Sequence, residues 1–448
     1  MEMVLEFLRD VLSQPALLIG IMSCIGLIAL KRPFHKIMTG TLKPILGYLM
    51  LAAGAGVIVN NLDPLGKMIE HGFHITGVVP NNEAIVAVAQ KVLGVETMSI
   101  LVVGLLMNLC IARFTKFKYV FLTGHHSLFM ACLMSAVLGT AGLSGMELIL
   151  VGGFLMGAWS AISPAIGQSY TSKVTDGDEI AIGHFGSLGY YLSAWVAKYV
   201  GKADDSTEDI EIPEKWGFLR DSTLSTALTM IVFYLIAAIA AGSEFVSTLS
   251  GDMSPYLYAV MSAMNFAVGV TIVYSGVRMI LGDLIPAFQG IATKIIPNAI
   301  PAVDCAVFFT YAPTAVVLGF ISSFIGGIIG MLILGAVGGV LIIPGLVPHF
   351  FCGATAGIYG NATGGRRGAA VGAFLNGLAI TFLPALALPV LGQLGFQNTT
   401  FGDADFAVMG LVLGHAFEWI GMAGIYGIVA IAALVLIIPN FIKTKGKV

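Results

Sequence analysis

The chain has 448 residues, 57% of them hydrophobic and only 10% charged, with a mean hydropathy of +0.92 and a net charge of −3. A soluble domain carries about 25% charged residues, so this chain cannot cover itself with a polar surface, and no basic stripe points to nucleic acid. It is a polytopic membrane protein. The apolar runs are continuous and about twenty residues long, which predicts an all-α chain and excludes the alternating segments of a β-barrel. Fifty-six glycines suit the close approach of membrane helices.

The N-terminal MEMVLEFLRD lacks the positive region of a cleavable signal, so the first apolar run is expected to be retained. Runs suited to spans lie near 14–30, 41–61, 95–112, 119–140, 145–165, 180–200, 223–243, 256–280, 313–343, 368–392 and 405–441, about eleven in all. Basic clusters follow the first run (Lys31, Arg32, Lys36, Lys43) and the third (Arg113, Lys116, Lys118), and Lys443, Lys445 and Lys447 end the sequence. Positive-inside logic puts all three in the cytoplasm, with the N-terminus outside and the C-terminus inside, which requires an odd number of spans.

The mixed-charge stretch 198–222 divides the chain and is expected to be a solvated cytoplasmic connector, with docking of a soluble partner as the alternative. The halves on either side are faintly alike: 50–69 and 277–296 share the spacing of glycine, proline and a final lysine, and acidic residues follow each, Glu83 and Asp304. A repeat with an odd number of spans gives two units of opposite orientation, a transporter design whose site lies at the repeat interface, with Glu83 and Asp304 as partners across it.

Four stretches carry candidate chemistry. LTGHHSLF (122–129) supplies a turn or helix start at Thr123 and Gly124, whose backbone N–H groups together with His125 can bind an anionic or polyol ligand; a short loop with an interfacial histidine is the plainer reading. Adjacent histidines point apart on a helix, so one of His125 and His126 is expected to serve the site, and their spacing does not suit zinc. VTDGDEIAIGHFGSLGYY (174–191) reads as a turn and helix start capped by Asp176, with His184 one to two turns further on. Ile300 to Pro313 (IPAVDCAVFFTYAP) buries one carboxylate, Asp304, between prolines. A carboxylate at bilayer depth costs several kcal/mol unless paired or facing a water-filled cavity, and the prolines predict a broken or re-entrant helix. In GLVPHFFCGATAGIYGNATGGRRG (345–368), Pro348, Gly353 and Gly357 are expected to interrupt a helix as a re-entrant hairpin whose tip meets substrate, with a loop between two ordinary spans as the alternative. The five cysteines read as packing residues, no metal or cofactor is called for, and no nucleotide-binding or hydrolase motif is present.

The segments GTLKPILGYLMLAAGAG, LTGHH, VTDG…IGH, GVRM, IPAVDCAVFF with YAPTAVVLGF, and IIPGLVPHFF with GATAGIYGN together resemble the membrane (IIC) component of the ascorbate-specific phosphotransferase system, over nearly the whole chain. That resemblance implies a homodimer of eleven-span protomers in the bacterial inner membrane, with two re-entrant hairpins and elevator-like transport. It further implies scaffold elements at 1–75 and 222–285, core substrate-binding elements at 76–200 and 286–404, a cytoplasmic linker at 201–221, and a final transmembrane helix and tail at 405–448. The ligand, L-ascorbate or a related sugar acid, is expected at Asn82, Glu83, Thr123, Gly124, His125, His184, Asp304 and Thr355. Separate phosphorylated IIB and IIA subunits would drive transport, with Asp304 as candidate base for the substrate hydroxyl. This sequence departs from the familiar pattern at Phe129, Phe185 and Glu83, which leaves the exact substrate open. An ion-coupled secondary transporter using Glu83 and Asp304 is the alternative class.

Overall fold

The computed structural model describes residues 11, 14–74, 77–80, 82–210, 222–392 and 399–441. The chain runs α1 (Pro15–Ala29), α2 (Phe34–Gly72), β1 (Val79–Pro80), α3 (Asn82–Phe114), β2 (Tyr119–Phe121), α4 (Gly124–Thr140), α5 (Gly145–Thr175), β3 (Ala181–Ile182) and α6 (Ser187–Val200) in its first half. The second half runs α7 (Ser222–Ala241), α8 (Ser243–Ser250), α9 (Pro255–Lys294), β4 (Ile300–Val303), a 3-10 turn (Cys305–Thr310), α10 (Pro313–Ala336), α11 (Leu346–Gly392), β5 (Thr399–Thr400), α12 (Ala404–Ile420) and α13 (Met422–Phe441).

Among the described residues seven helices are long and apolar enough to cross a bilayer, or eight if the pair bent by 117° at Gly242 counts as one span. The expected runs at 119–140 and 180–200 resolve instead into a short strand followed by helices of 17 and 14 residues. At 1.5 Å per residue these reach only about 20–26 Å, short of the ~30 Å hydrocarbon core. The run 405–441 breaks at Gly421 into α12 and α13.

α11 is a hairpin, and its break lies further along than the prolines and glycines of 345–368 suggested. Gly364 and Gly365 leave the helical region, the latter at φ 61°, where a methyl group would sit 2.3 Å from the carbonyl oxygens of Lys202 and Asp205. Pro348, Gly353 and Gly357 lie in unbroken helix. The two glycines are there for contact: a Cβ on Gly357 would fall 2.6 Å from the Gly319 Cα, and one on Gly353 2.4 Å from the Ser323 Cβ. The first arm therefore runs antiparallel to α10, and the second, touching Ser323 and Gly326 through Gly377, runs parallel to it.

The connector after α6 is docked over 201–209, while Lys202, Ala203 and Asp204 stay exposed to solvent as expected. Arg366 N donates to the Asp205 carbonyl at 2.7 Å and its guanidinium pairs with the Asp205 carboxylate at 2.7 Å. Thr207 N donates to Asn361 Oδ1, and Glu208 accepts from Thr314 N and Ala315 N at 3.1 Å, capping the N-terminus of α10. Residues 211–221 lie outside the described residues.

The helices pack as two groups. α1, α2, α7, α8 and α9 pack on one another, with α2 and α9 crossing antiparallel where Gly47 meets Gly276 and Gly54 meets Gly269. The remaining helices pack among themselves, including α12, which lies against α4, α6 and α11, and α13 against α5 and α12. Asn440 near the end of α13 accepts from Lys116 N, so the basic loop after α3 and the end of the last helix share one face of the molecule.

Strands mark the interior of the second group. β4 pairs in parallel with both β2 and β3. β1 pairs in parallel with β5, while Val78 bridges Ile342. Each cluster thus has a central segment from one half of the chain and two flanking segments from the other, an interlocked two-fold arrangement.

Candidate functional site

All six segments at the strand clusters lead directly into a helix, beginning at Asn82, Gly124, Ser187, Cys305, Leu346 and Ala404. Free backbone N–H groups and the positive ends of helix dipoles therefore gather in one region, where they stabilise carboxylates. Asp304 is the N-cap of the 3-10 turn, its Oδ1 accepting from Ala306 N at 3.0 Å. Asp405 receives Leu188 N at 2.9 Å, Ser187 Oγ at 2.8 Å and Trp159 Nε1 at 3.2 Å, which fixes the start of α6. Asp403, the residue before α12, receives Asn82 Nδ2 at 2.5 Å and the Cys352 thiol at 2.7 Å, while Asn82 Oδ1 takes Gly402 N at 2.9 Å.

A cavity of about 1230 Å³ opens beside this region, between the two helix groups. Its polar end is lined by Tyr48, Asn82, His125, His126, His184, Asp304 and Asp403, and its flanks by α2, α7, α10 and the start of α11. His125 Nε2 stands 3.5 Å from Asp304 Oδ2, and its Nδ1 lies 3.3 Å from the hydroxyl of Tyr48, which reaches across from the first helix group. Among the described residues Asp304 has no lysine or arginine within ion-pair distance; His125 is the neighbour in that role.

His184 stands between β3 and α6, in the turn that starts α6 and not inside a helix as its sequence context suggested. Its Nδ1 accepts from Gly186 N at 3.1 Å and lies 2.8 Å from the Tyr190 hydroxyl. A backbone N–H can only donate, so this nitrogen carries a lone pair, and the 4.0 Å approach to Asp403 is not an ion pair. Asp176, expected to cap a helix start, instead ends α5 in the left-handed conformation at φ 52°. Both adjacent histidines line the cavity: His126 accepts from Phe185 N and packs its ring 3.8 Å from that of His184.

The structure thus brings Asn82, His125, His184 and Asp304 together around one space. Thr123 and Gly124 do not line it. They form the buried start of α4, where the Thr123 carbonyl accepts from Ser127 and its hydroxyl has no partner among the described residues. Thr355 is fully buried in α11 behind Cys305, donating to the Phe351 carbonyl, and is not a cavity residue. Glu83 is the second residue of α3, and its side chain lies outside the described residues. Phe129 lines the cavity, whereas Phe185 is buried in the aromatic layer with Phe121 and Phe406.

Asp403, Tyr48 and Cys352 were not foreseen, and His126 lines the cavity together with His125 where only one of the pair was expected. FGDAD at 401–405 was a usable signal: two carboxylates at the start of an apolar helix, where Asp304 likewise precedes an apolar run. Two buried trios have donor atoms within 4.8 Å of one another, His184 with Cys352 and Asp403, and His184 with Asp304 and Cys305; either has the composition of a metal-ligand set.

The family model described as PTS system sugar-specific permease component, EIIC-GAT, matches residues 10–405. The chain is also similar to the ascorbate-specific PTS system EIIC component of Mycoplasma pneumoniae, with 27% identity covering 80% of this chain and 62% of that protein. It therefore spans less than two thirds of the length of that relative. With 396 of its 448 residues matched, the chain belongs to the EIIC-GAT family of PTS sugar-specific permease components.

Proposed function

We propose that this protein is the membrane permease of a phosphotransferase system and imports L-ascorbate or a closely related sugar acid. The observation that carries this reading is the polar end of the cavity, where Asp304, His125, His184 and Asn82 stand among converging helix N-termini. Helix N-termini favour an anionic ligand, and a carboxylate with imidazoles favours one rich in hydroxyls. The ascorbate specificity in the name of the Mycoplasma relative agrees with that chemistry. Asp304 accepts from a substrate hydroxyl through Oδ2, since Oδ1 is committed to Ala306. His125 and His184 orient the ring, and Asn82 with Asp403 closes the far wall.

The helix group of α1, α2 and α7 to α9 serves as the scaffold, and the group carrying the polar residues is the part that moves, in an elevator-like step. A cavity lined from both groups supports that division. A separate phosphorylated IIB subunit receives the substrate at the face bearing the basic loop after α3, which is cytoplasmic in this reading, as is the C-terminus. The working form is a homodimer. Uptake of labelled ascorbate by cells expressing the chain tests the class of transport. It is expected to stop when IIB is absent and to persist with an uncoupler; the reverse pattern would make the protein an ion-coupled secondary transporter.

A further inference from the structure

We propose that His184, Cys352 and Asp403 form a binding site for a soft divalent cation of the zinc type, and that its occupancy excludes the substrate. The three residues come from separate elements: the turn after β3, the first arm of α11, and the residue before α12. All are buried. The Asp405 N–H to Phe185 carbonyl bond, 2.9 Å, ties the first of these elements to the third.

Nitrogen, sulfur and carboxylate oxygen in one cluster is the donor set that zinc prefers over magnesium or calcium. Zinc bonds of about 2.0–2.3 Å place tetrahedral ligand atoms roughly 3.3–3.8 Å apart. Here the Cys352 sulfur is 2.7 Å from Asp403 Oδ1, and His184 Nδ1 is 4.0 Å from the same oxygen. Each separation reaches the zinc range by a shift under about 1 Å. The outer partners are also present. Asn82 holds the other carboxylate oxygen, and Tyr190 stands 2.8 Å from the ring nitrogen and 3.5 Å from the sulfur, a hydroxyl able to stay on the thiolate when the cation takes the ring.

Binding is a ligand exchange without redox change. The cation takes the sulfur lone pair, the thiol proton leaves to solvent, and thiolate plus carboxylate balance the two positive charges. His184 and Asp403 both line the cavity, so a bound cation removes two substrate contacts. Cys352 is preferred to Cys305 because its sulfur lies 2.7 Å from Asp403 Oδ1 while Asn82 holds the other oxygen of that carboxylate. Cation binding itself does not depend on the substrate assignment; the exclusion of substrate does.

The full chain, purified in detergent, is titrated with Co2+ as a spectroscopic stand-in for Zn2+. One equivalent is expected to give a thiolate-to-cobalt charge-transfer band that Zn2+ abolishes. Cys352→Ser should remove the band and weaken binding more than about 100-fold, beyond the 10–100-fold that loss of an outer partner costs. Cys110→Ser, exposed and remote, should retain it. Absence of the band in the wild type, its survival in Cys352→Ser, or its loss in Cys305→Ser alone would overturn the assignment. If Cys352→Ser does not yield monodisperse protein, Asp403→Asn replaces it, and unchanged cobalt affinity there overturns the proposal equally. In a second arm, Zn2+ should raise the apparent Kd for ascorbate in the wild type and leave Cys352→Ser unaffected. Cobalt binding without that competition would refute exclusion while leaving the metal site, and absence of ascorbate binding would count against the substrate reading alone.

Discussion

Replacing Asp304 by asparagine separates its two jobs. Oδ1 caps the 3-10 turn through Ala306 N at 3.0 Å, and an amide oxygen can still accept that bond. Oδ2 stands 3.5 Å from His125 Nε2, at the cavity that Asp304 lines, and is the atom proposed to meet the ligand. A hydrogen bond to a charged acceptor contributes about 1.5–3 kcal/mol and one to a neutral acceptor about 0.5–1.5, so Asp304→Asn should weaken binding by about 1–2 kcal/mol, roughly 5- to 30-fold. Thermal stability should stay close to wild type. Asp304→Ala removes the bond entirely, for a loss of about 10- to 150-fold, and also removes the cap at about 1 kcal/mol of stability. Isothermal titration with ascorbate and thermal melts on the same detergent-purified samples read both effects. Binding by Asp304→Asn within twofold of wild type would refute the assignment, and so would an affinity loss matched by an equal loss of stability.

Tyr48→Phe removes the hydroxyl 3.3 Å from His125 Nδ1, the polar contact linking the two helix groups at the site, and should lower the initial uptake rate by about 2- to 10-fold without reducing protein abundance. Glu208→Ala strips the carboxylate from the N-terminus of α10 and should cost about 1–2 kcal/mol in thermal unfolding, whereas Glu208→Gln keeps the acceptor and should lose less than half of that. Gly319→Ala would press a methyl group to 2.5 Å from the Gly353 carbonyl oxygen and should destabilise by about 1–3 kcal/mol; Gly282→Ala, with nothing within 4 Å, should be neutral or slightly stabilising in the same melt.

Composition alone determined the class of protein, because no arrangement of so few charges covers a soluble surface. The candidate residues that the sequence pointed to were those in conflict with their surroundings: Asp304 in an apolar stretch, His125 after Gly124, His184 after Gly183. What it did not convey was the local geometry. The segments around His184 and Asp304 are short strands leading into helix starts, and two-to-four-residue strands paired across the halves leave no periodicity to read. The same limit explains why 119–140 and 180–200 looked like spans: strand plus short helix is as apolar as one long helix. Glycine was ambiguous for a related reason. Gly353 and Gly357 serve close packing, while Gly364 and Gly365 make the turn, and only the partner surfaces of α10 and the 201–209 segment distinguish them. Asp403 went unnoticed because it stands at the edge of an apolar run, where a carboxylate normally marks a span boundary. Thr355 shows the same ambiguity: a small polar residue in a glycine-rich helix reads alike whether it faces a cavity or, as here, a thiol beside one.

Direct equilibrium binding of labelled ascorbate to the purified chain, with no phosphorylating subunit present, tests most sharply whether the polar cavity is a substrate site. Saturable binding at one site per chain, displaced by related sugar acids more readily than by neutral sugars of the same size, is the expected result. No saturable binding of ascorbate or of any sugar acid, or displacement by neutral sugars alone, would contradict it.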